Sequence, residues 1–67
     1  MDLAIWKWRI RWRHDVMGFA KTTEVEGTTI YEALVLGEAK LRESGHRPST
    51  FTPIDVKRLA LVGTSEA

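Results

Sequence analysis

The stretch Ile5-Trp6-Lys7-Trp8-Arg9-Ile10-Arg11-Trp12-Arg13 decides how this chain folds. Trp6, Trp8, Ile10 and Trp12 occupy even positions, and Lys7, Arg9, Arg11 and Arg13 the odd ones. A strict period of two belongs to a strand with one apolar and one solvated face. Wound as a helix, the same residues would scatter Trp and Arg around the cylinder.

Magnitudes select the buried face. Each Trp removes about 150 to 250 Å² from water, worth roughly 4 to 6 kcal/mol per ring as an upper bound. A chain of 67 residues has one small core from which to draw its stability. Three tryptophans left in water would leave almost none, so the Trp row is read as core rather than as a platform for stacking bases. If any ring keeps an edge exposed, it is expected to be Trp6 or Trp12, nearest the strand ends.

Composition narrows the functional classes. The length implies residues 1–67 form a single small domain. There is no cysteine, hence no disulfide framework or thiolate chemistry, which suits a cytoplasmic protein. His14 and His46 are far apart in sequence and lack cysteine partners, so no metal site is expected. Lys and Arg interrupt the N-terminal stretch at every second position, which excludes a signal-peptide core, and no apolar run approaches a membrane span. Ten basic and nine acidic residues give a net charge of +1. Overall charge therefore indicates no nucleic-acid partner, and only the first strand concentrates cations.

From that strand the reading works outward. Met1 to Leu3 is a lead-in, and the strand is expected over Ala4 to Arg13. His14-Asp15-Val16-Met17-Gly18 reads as a tight turn, with Asp15 bonding its own backbone and Gly18 free to take positive φ. A second strand over Phe19 to Glu26 then sets Trp12 against Lys21, Ile10 against Thr23 and Trp8 against Val25, with Phe19 beside His14. On the other face Thr22 meets Arg11, Glu24 meets Arg9 and Glu26 meets Lys7. Cross-strand pairing of this kind explains the basic row without a ligand. Arg11 and Arg13 are left with no acidic partner in this hairpin.

Thr29 as N-cap with Glu32 three residues on forms a capping box, and Gly45 stands where a left-handed C-cap belongs. The helix is expected over Ile30 to Ser44, with Ile30, Ala33, Leu34, Gly37 and Leu41 turned to the Trp face. Gly37 costs about 1 kcal/mol of helix propensity, for which room for a Trp ring is the compensation. Val35, Leu36 and Ala39 point away from that stripe and form a candidate contact patch for a partner protein or a second copy.

His46 to Thr50 reads as a loop. Thr52-Pro53-Ile54-Asp55 resembles a helix start, but Val56 to Val62 is rich in β-branched and apolar residues. A two-stranded sheet would leave the Trp strand with an open edge, so Phe51 to Gly63 is read as a third strand that closes it, with Thr64 to Ala67 fraying. In a fully regular strand Leu59 and Leu61 would lie beside the Arg face. Either a bulge near Lys57 turns them inward or they extend an exposed apolar patch. The fold class is α+β: β-β-α-β, a three-stranded antiparallel sheet in order 2-1-3 packed on one helix.

Chemistry for an enzyme is missing. There is no Gly-rich phosphate loop, no paired His with an acidic neighbour and no nucleophile with a base in context. No catalytic residue and no cofactor is assigned. His46 in its loop is read as solvated, and one sheet with one helix rarely encloses a pocket.

The helix opening Thr28-Thr29-Ile30-Tyr31-Glu32-Ala33-Leu34 resembles the strand-to-helix junction of HicB-like antitoxins. The whole-chain pattern resembles short proteins encoded by phages and other mobile elements: a Trp/Arg strand, a Glu-bearing strand, a Glu-Ala helix and a last strand with Val56-Lys57-Arg58-Leu59. That resemblance implies a small accessory protein that binds host machinery. The basic hairpin with Gly45-His46-Arg47-Pro48 at the helix exit is similar to the arm-binding domain of phage integrases, which places three strands before its helix where this chain has two. No functional residue is carried over from these families. Two functions follow as expectations: a non-catalytic module binding a host or self protein through Val35, Leu36 and Ala39, or a nucleic-acid binder using Lys7, Arg9, Arg11 and Arg13.

Overall fold

The computed structural model describes residues 2–66. Strand β1 (Asp2–His14) is followed by β2 (Ala20–Gly27), helix α1 (Ile30–Glu43), a single 3₁₀ turn (Pro48–Thr50) and β3 (Phe51–Glu66). The strands form one antiparallel sheet in the order β2-β1-β3, with α1 on the Trp face. This is the β-β-α-β arrangement expected from the alternation of Trp and Arg.

The hairpin register is also as expected: Trp12 opposes Lys21, Ile10 opposes Thr23, Trp8 opposes Val25, Arg9 opposes Glu24 and Lys7 opposes Glu26. The turn differs in its bonding. His14 Nδ1 accepts from the amides of Val16 and Met17 at 3.2 and 3.0 Å. The Asp15 carboxylate, instead of bonding its own backbone, accepts from the Thr52 hydroxyl of β3. Gly18 has φ +77, the left-handed conformation the turn needs.

Helix α1 begins at Thr29, whose hydroxyl accepts from the Glu32 amide at 3.1 Å. The returning half of the cap goes one residue further back, since the Glu32 carboxylate accepts from the amide and hydroxyl of Thr28. Helical geometry ends at Glu43 with Ser44 as C-cap, and Gly45 at φ +83 turns the chain away.

The core contains Ile10, Trp12, Val25, Ala33, Leu41 and Phe51, with Trp8, Leu34 and Val56 packed against it. Gly37 lies directly over the β1–β2 pair. A Cβ there would come within 2.8 Å of the Trp12 ring, 3.0 Å of Ile10 and 3.2 Å of the Thr23 hydroxyl. Of the two rings named as candidates for an exposed edge, Trp12 is sealed at 1% exposed, because the missing side chain at position 37 lets the helix settle onto its ring. Its indole N–H donates to Thr23 Oγ1 at 2.9 Å, and that of Trp8 donates to the Gly27 carbonyl at 2.9 Å. Ile30, assigned to the core stripe, is exposed at the first turn of the helix.

β3 is longer and less regular than the sequence suggested. It pairs with β1 from His14↔Phe51 to Asp2↔Glu66, so Asp2 and Leu3 are strand rather than lead-in, and Thr64 to Glu66 are paired rather than frayed. Met1 and Ala67, the outer ends of those two readings, lie outside the described residues. The pairing shifts three times, between Ile5 and Trp6, Lys7 and Trp8, and Arg11 and Trp12. The residues passed over are Val62, Leu59 and Ile54. The bulge at Leu59 follows Lys57 closely and changes the phase of the strand, so Leu61 falls opposite Trp6 on the Trp face and Ala60 opposite Lys7. Leu61 remains 56% exposed nonetheless.

The reason is reach. The molecule is 43 Å long, whereas a helix of 14 residues spans about 21 Å. Helix α1 therefore covers only about half of the Trp face. Beyond Trp6, where β2 ends, β1 and β3 continue as a two-stranded ribbon. Trp6 sits at that boundary, half-buried, with the Arg58 guanidinium 4.3 Å from its ring centre.

At the other end of the sheet Phe19 lies beside His14, as the hairpin register required, in an aromatic cluster that Phe51 and His46 complete. His14 stacks on Phe19 at 5.0 Å, and Phe51 meets His14, Phe19 and His46 edge-on at 5.1, 5.7 and 5.4 Å. His46, read as a solvated loop residue, is partly buried against Phe51. The two histidines converge because β3 returns beside β1 and carries Phe51 to the level of His14.

Candidate interaction surfaces

Helix and strand together shape a groove along the open edge of β2. It encloses about 490 Å³ and is lined by Leu36, Ala39, Lys40 and Glu43 of α1, Glu24, Val25 and Glu26 of β2, and Lys7. The groove follows from the capped start of α1, which seats Ala33, Gly37 and Leu41 on the sheet and so rotates Leu36 and Ala39 toward the strand edge. Leu36 is 38% exposed and Ala39 half-buried. Val35, the third residue of the expected contact patch, is 66% exposed and stands outside the groove lining.

The edge beside this groove is regular. His14 N–H donates to the Phe19 carbonyl at 2.8 Å, which fixes the alternation of the β1–β2 ladder. Phe19, Lys21, Thr23 and Val25 direct their backbone groups at β1; Ala20, Thr22, Glu24 and Glu26 direct theirs outward. Those outward amides and carbonyls form a continuous, unbulged row.

The second candidate surface is the sheet face opposite the helix. It carries Lys7, Arg9, Arg11 and Arg13, as the alternation required, and β3 adds Lys57 opposite Arg9. The cations are partly answered. Glu24 lies 3.4 Å from Lys7 and 3.2 Å from Arg9, whose Nε and Nη2 both donate to one carboxylate oxygen. The hydrogen bond from Arg9, then the hydrogen bond and charge of Lys7, hold the Glu24 carboxyl below its ordinary pKa. Lys7 opposes Glu26 in register but makes its ion pair with Glu24. Arg11, which meets Thr22 and no acidic residue in the hairpin, as expected, has Asp55 opposite it across β3; Arg13 is flanked by Ala20 and Thr52. The face thus holds five cations and three carboxylates. Pairing with β3 decides that balance, and only the alternation of Asp55 and Lys57 signalled it in the sequence.

Among the described residues no group of three or more His, Cys, Asp or Glu side chains is placed to hold a metal ion. No described helix is long and apolar enough to cross a membrane. Comparison with protein families, curated proteins and solved structures gave no match.

Proposed function

We propose that this protein is a small non-catalytic binding module that docks another protein through the groove between α1 and the open edge of β2. The observation that carries this reading is the combination of Leu36 and Ala39 with an unpaired row of backbone donors and acceptors on β2. An extended segment laid there gains main-chain hydrogen bonds from the edge and apolar contact from the helix, the pairing of terms that strand addition uses. The partner is a host or self protein, and the setting is the cytoplasm, in keeping with the resemblance to phage- and mobile-element-encoded accessory proteins.

The rival reading, nucleic-acid binding through Lys7, Arg9, Arg11 and Arg13, is weakened by Glu24, which engages two of the four. Asp55 stands opposite a third. A surface that pairs its own cations has fewer counterions to release on binding phosphate.

The test has two arms. A photocrosslinking side chain at Val35, exposed and beside the groove, is expected to capture a protein in the native cell. Amide-resolved NMR with a random duplex and a random single strand is expected to leave β1 unmoved at physiological salt. Salt-sensitive shifts along Lys7 to Arg13, with nothing captured at Val35, would replace this reading with the nucleic-acid one. In that case Arg11→Glu with Arg13→Glu would abolish the shifts while leaving the fold intact, since both side chains are exposed.

A further inference from the structure

We infer that the occupant of the β2 groove is a second copy of this chain, joined edge to edge through β2 so that two three-stranded sheets become one six-stranded sheet with both helices on the same face. The inference rests on the protein-binding reading of the groove and names its partner.

The sheet has two outer edges, and only one is open to pairing. β3 carries three register shifts and Pro53. Bulges twist an edge away and proline removes a donor, both of which oppose further pairing. β2 has neither.

An antiparallel pair of identical strands has a two-fold axis, and charge and hydrogen bonding select its position. Centred on Glu24, the pairing would set Glu24 against its own copy. Centred on Thr23, it sets Thr22 against Glu24 and Ala20 against Glu26 of the second copy. No like charges then stand directly opposite one another, the two Glu24 side chains being diagonal neighbours instead. All four residues in these pairs direct their backbone groups outward, so each pair exchanges two hydrogen bonds, and the whole of Ala20–Glu26 is used.

The helices fit that axis. The position 37 Cβ would lie 3.2 Å from Thr23 Oγ1, 2.8 Å from Trp12 and 3.0 Å from Ile10. Helix α1 therefore lies over the β1–β2 pair, closer to β2 than to β1. Two such helices flanking a new β2–β2 pair are separated by at most one strand spacing plus two half-spacings, about 10 Å in all. Packed helices lie about 8 to 10 Å apart. The axis passes at the level of Gly37, which brings Leu36 and Ala39 of one copy against those of the other. A small residue at position 39 permits that approach, and Leu36, left over on α1, acquires a place.

The test uses the full chain. Sedimentation equilibrium should give twice the 7.6 kDa chain mass, and the amides of Thr22 and Glu24, which face solvent in one copy alone, should exchange more slowly as protein concentration rises. Thr22→Pro removes an outward N–H without breaking a β1–β2 hydrogen bond and is expected to halve the mass with the circular dichroism unchanged. Leu36→Glu should do the same from the helix side. A parent of single-chain mass at every concentration overturns the inference; if Val35 still crosslinks a different protein, the binding-module reading stands without it. A dimeric parent whose Thr22 and Glu24 amides exchange freely also overturns it, by placing the interface elsewhere, and needs no variant to fold.

Discussion

Gly37 of the helix and Trp12 of the central strand are so close that a Cβ on the glycine would lie 2.8 Å from Trp12 Cζ2. The contact sets the height of the helix over the sheet. Both residues are buried, and the Trp12 indole is held in place by its bond to Thr23.

Gly37→Ala consequently opposes two effects. Alanine gains about 1 kcal/mol of helix propensity, but its methyl meets the Trp12 ring, Ile10 Cδ1 and the Thr23 hydroxyl, all buried. Overpacking of this kind costs about 1 to 3 kcal/mol. Urea denaturation is expected to show a net loss of stability; a gain would mean that the helix lifts without penalty.

Thr23→Val keeps the shape of the side chain and removes the acceptor of the Trp12 N–H. A buried donor left unpaired costs about 1 to 3 kcal/mol. Trp12 also becomes the ring whose indole proton shifts most in the NMR spectrum of the variant. An unchanged midpoint would show that water replaces the hydroxyl.

Glu24 titrates below the usual carboxylate range because Arg9 and Lys7 stabilise its charged form. A carboxyl with a depressed folded-state pKa stabilises the fold fully above its unfolded value and loses that contribution as pH falls through the depressed one. Carbon-detected titration should find the Glu24 carboxyl protonating below the ordinary glutamate pKa. Arg9→Gln should return it toward that ordinary value and flatten the acid limb of the stability curve.

Thr29→Ala removes the acceptor of the Glu32 amide and is expected to cost about 1 kcal/mol. Thr28→Ala loses only a hydroxyl contact to the Glu32 carboxylate, on an exposed surface, and should cost less. Equal losses would place the helix start at Thr28 instead.

The sequence determined by itself what depends on local periodicity and on chemistry a few residues away. Alternation from Trp6 to Arg13 defined β1 and both its faces, a turn ending in Gly18 defined the hairpin register, and Thr29 with Glu32 defined the helix start. Gly37 signalled a close contact with a Trp, although not with which one. Tertiary structure alone decided what depends on residues far apart in the chain. The bulge of β3 at Leu59 moved Leu61 and Ala60 to the opposite faces from those regular alternation assigns. Where the helix ends relative to a sheet twice its length determined that Trp12 is sealed and Trp6 is not. The groove on the β2 edge, and the meeting of His14 with His46 around Phe51, likewise arise only when α1 and β3 are laid on the hairpin, since no local pattern records the distance between elements that meet only on folding.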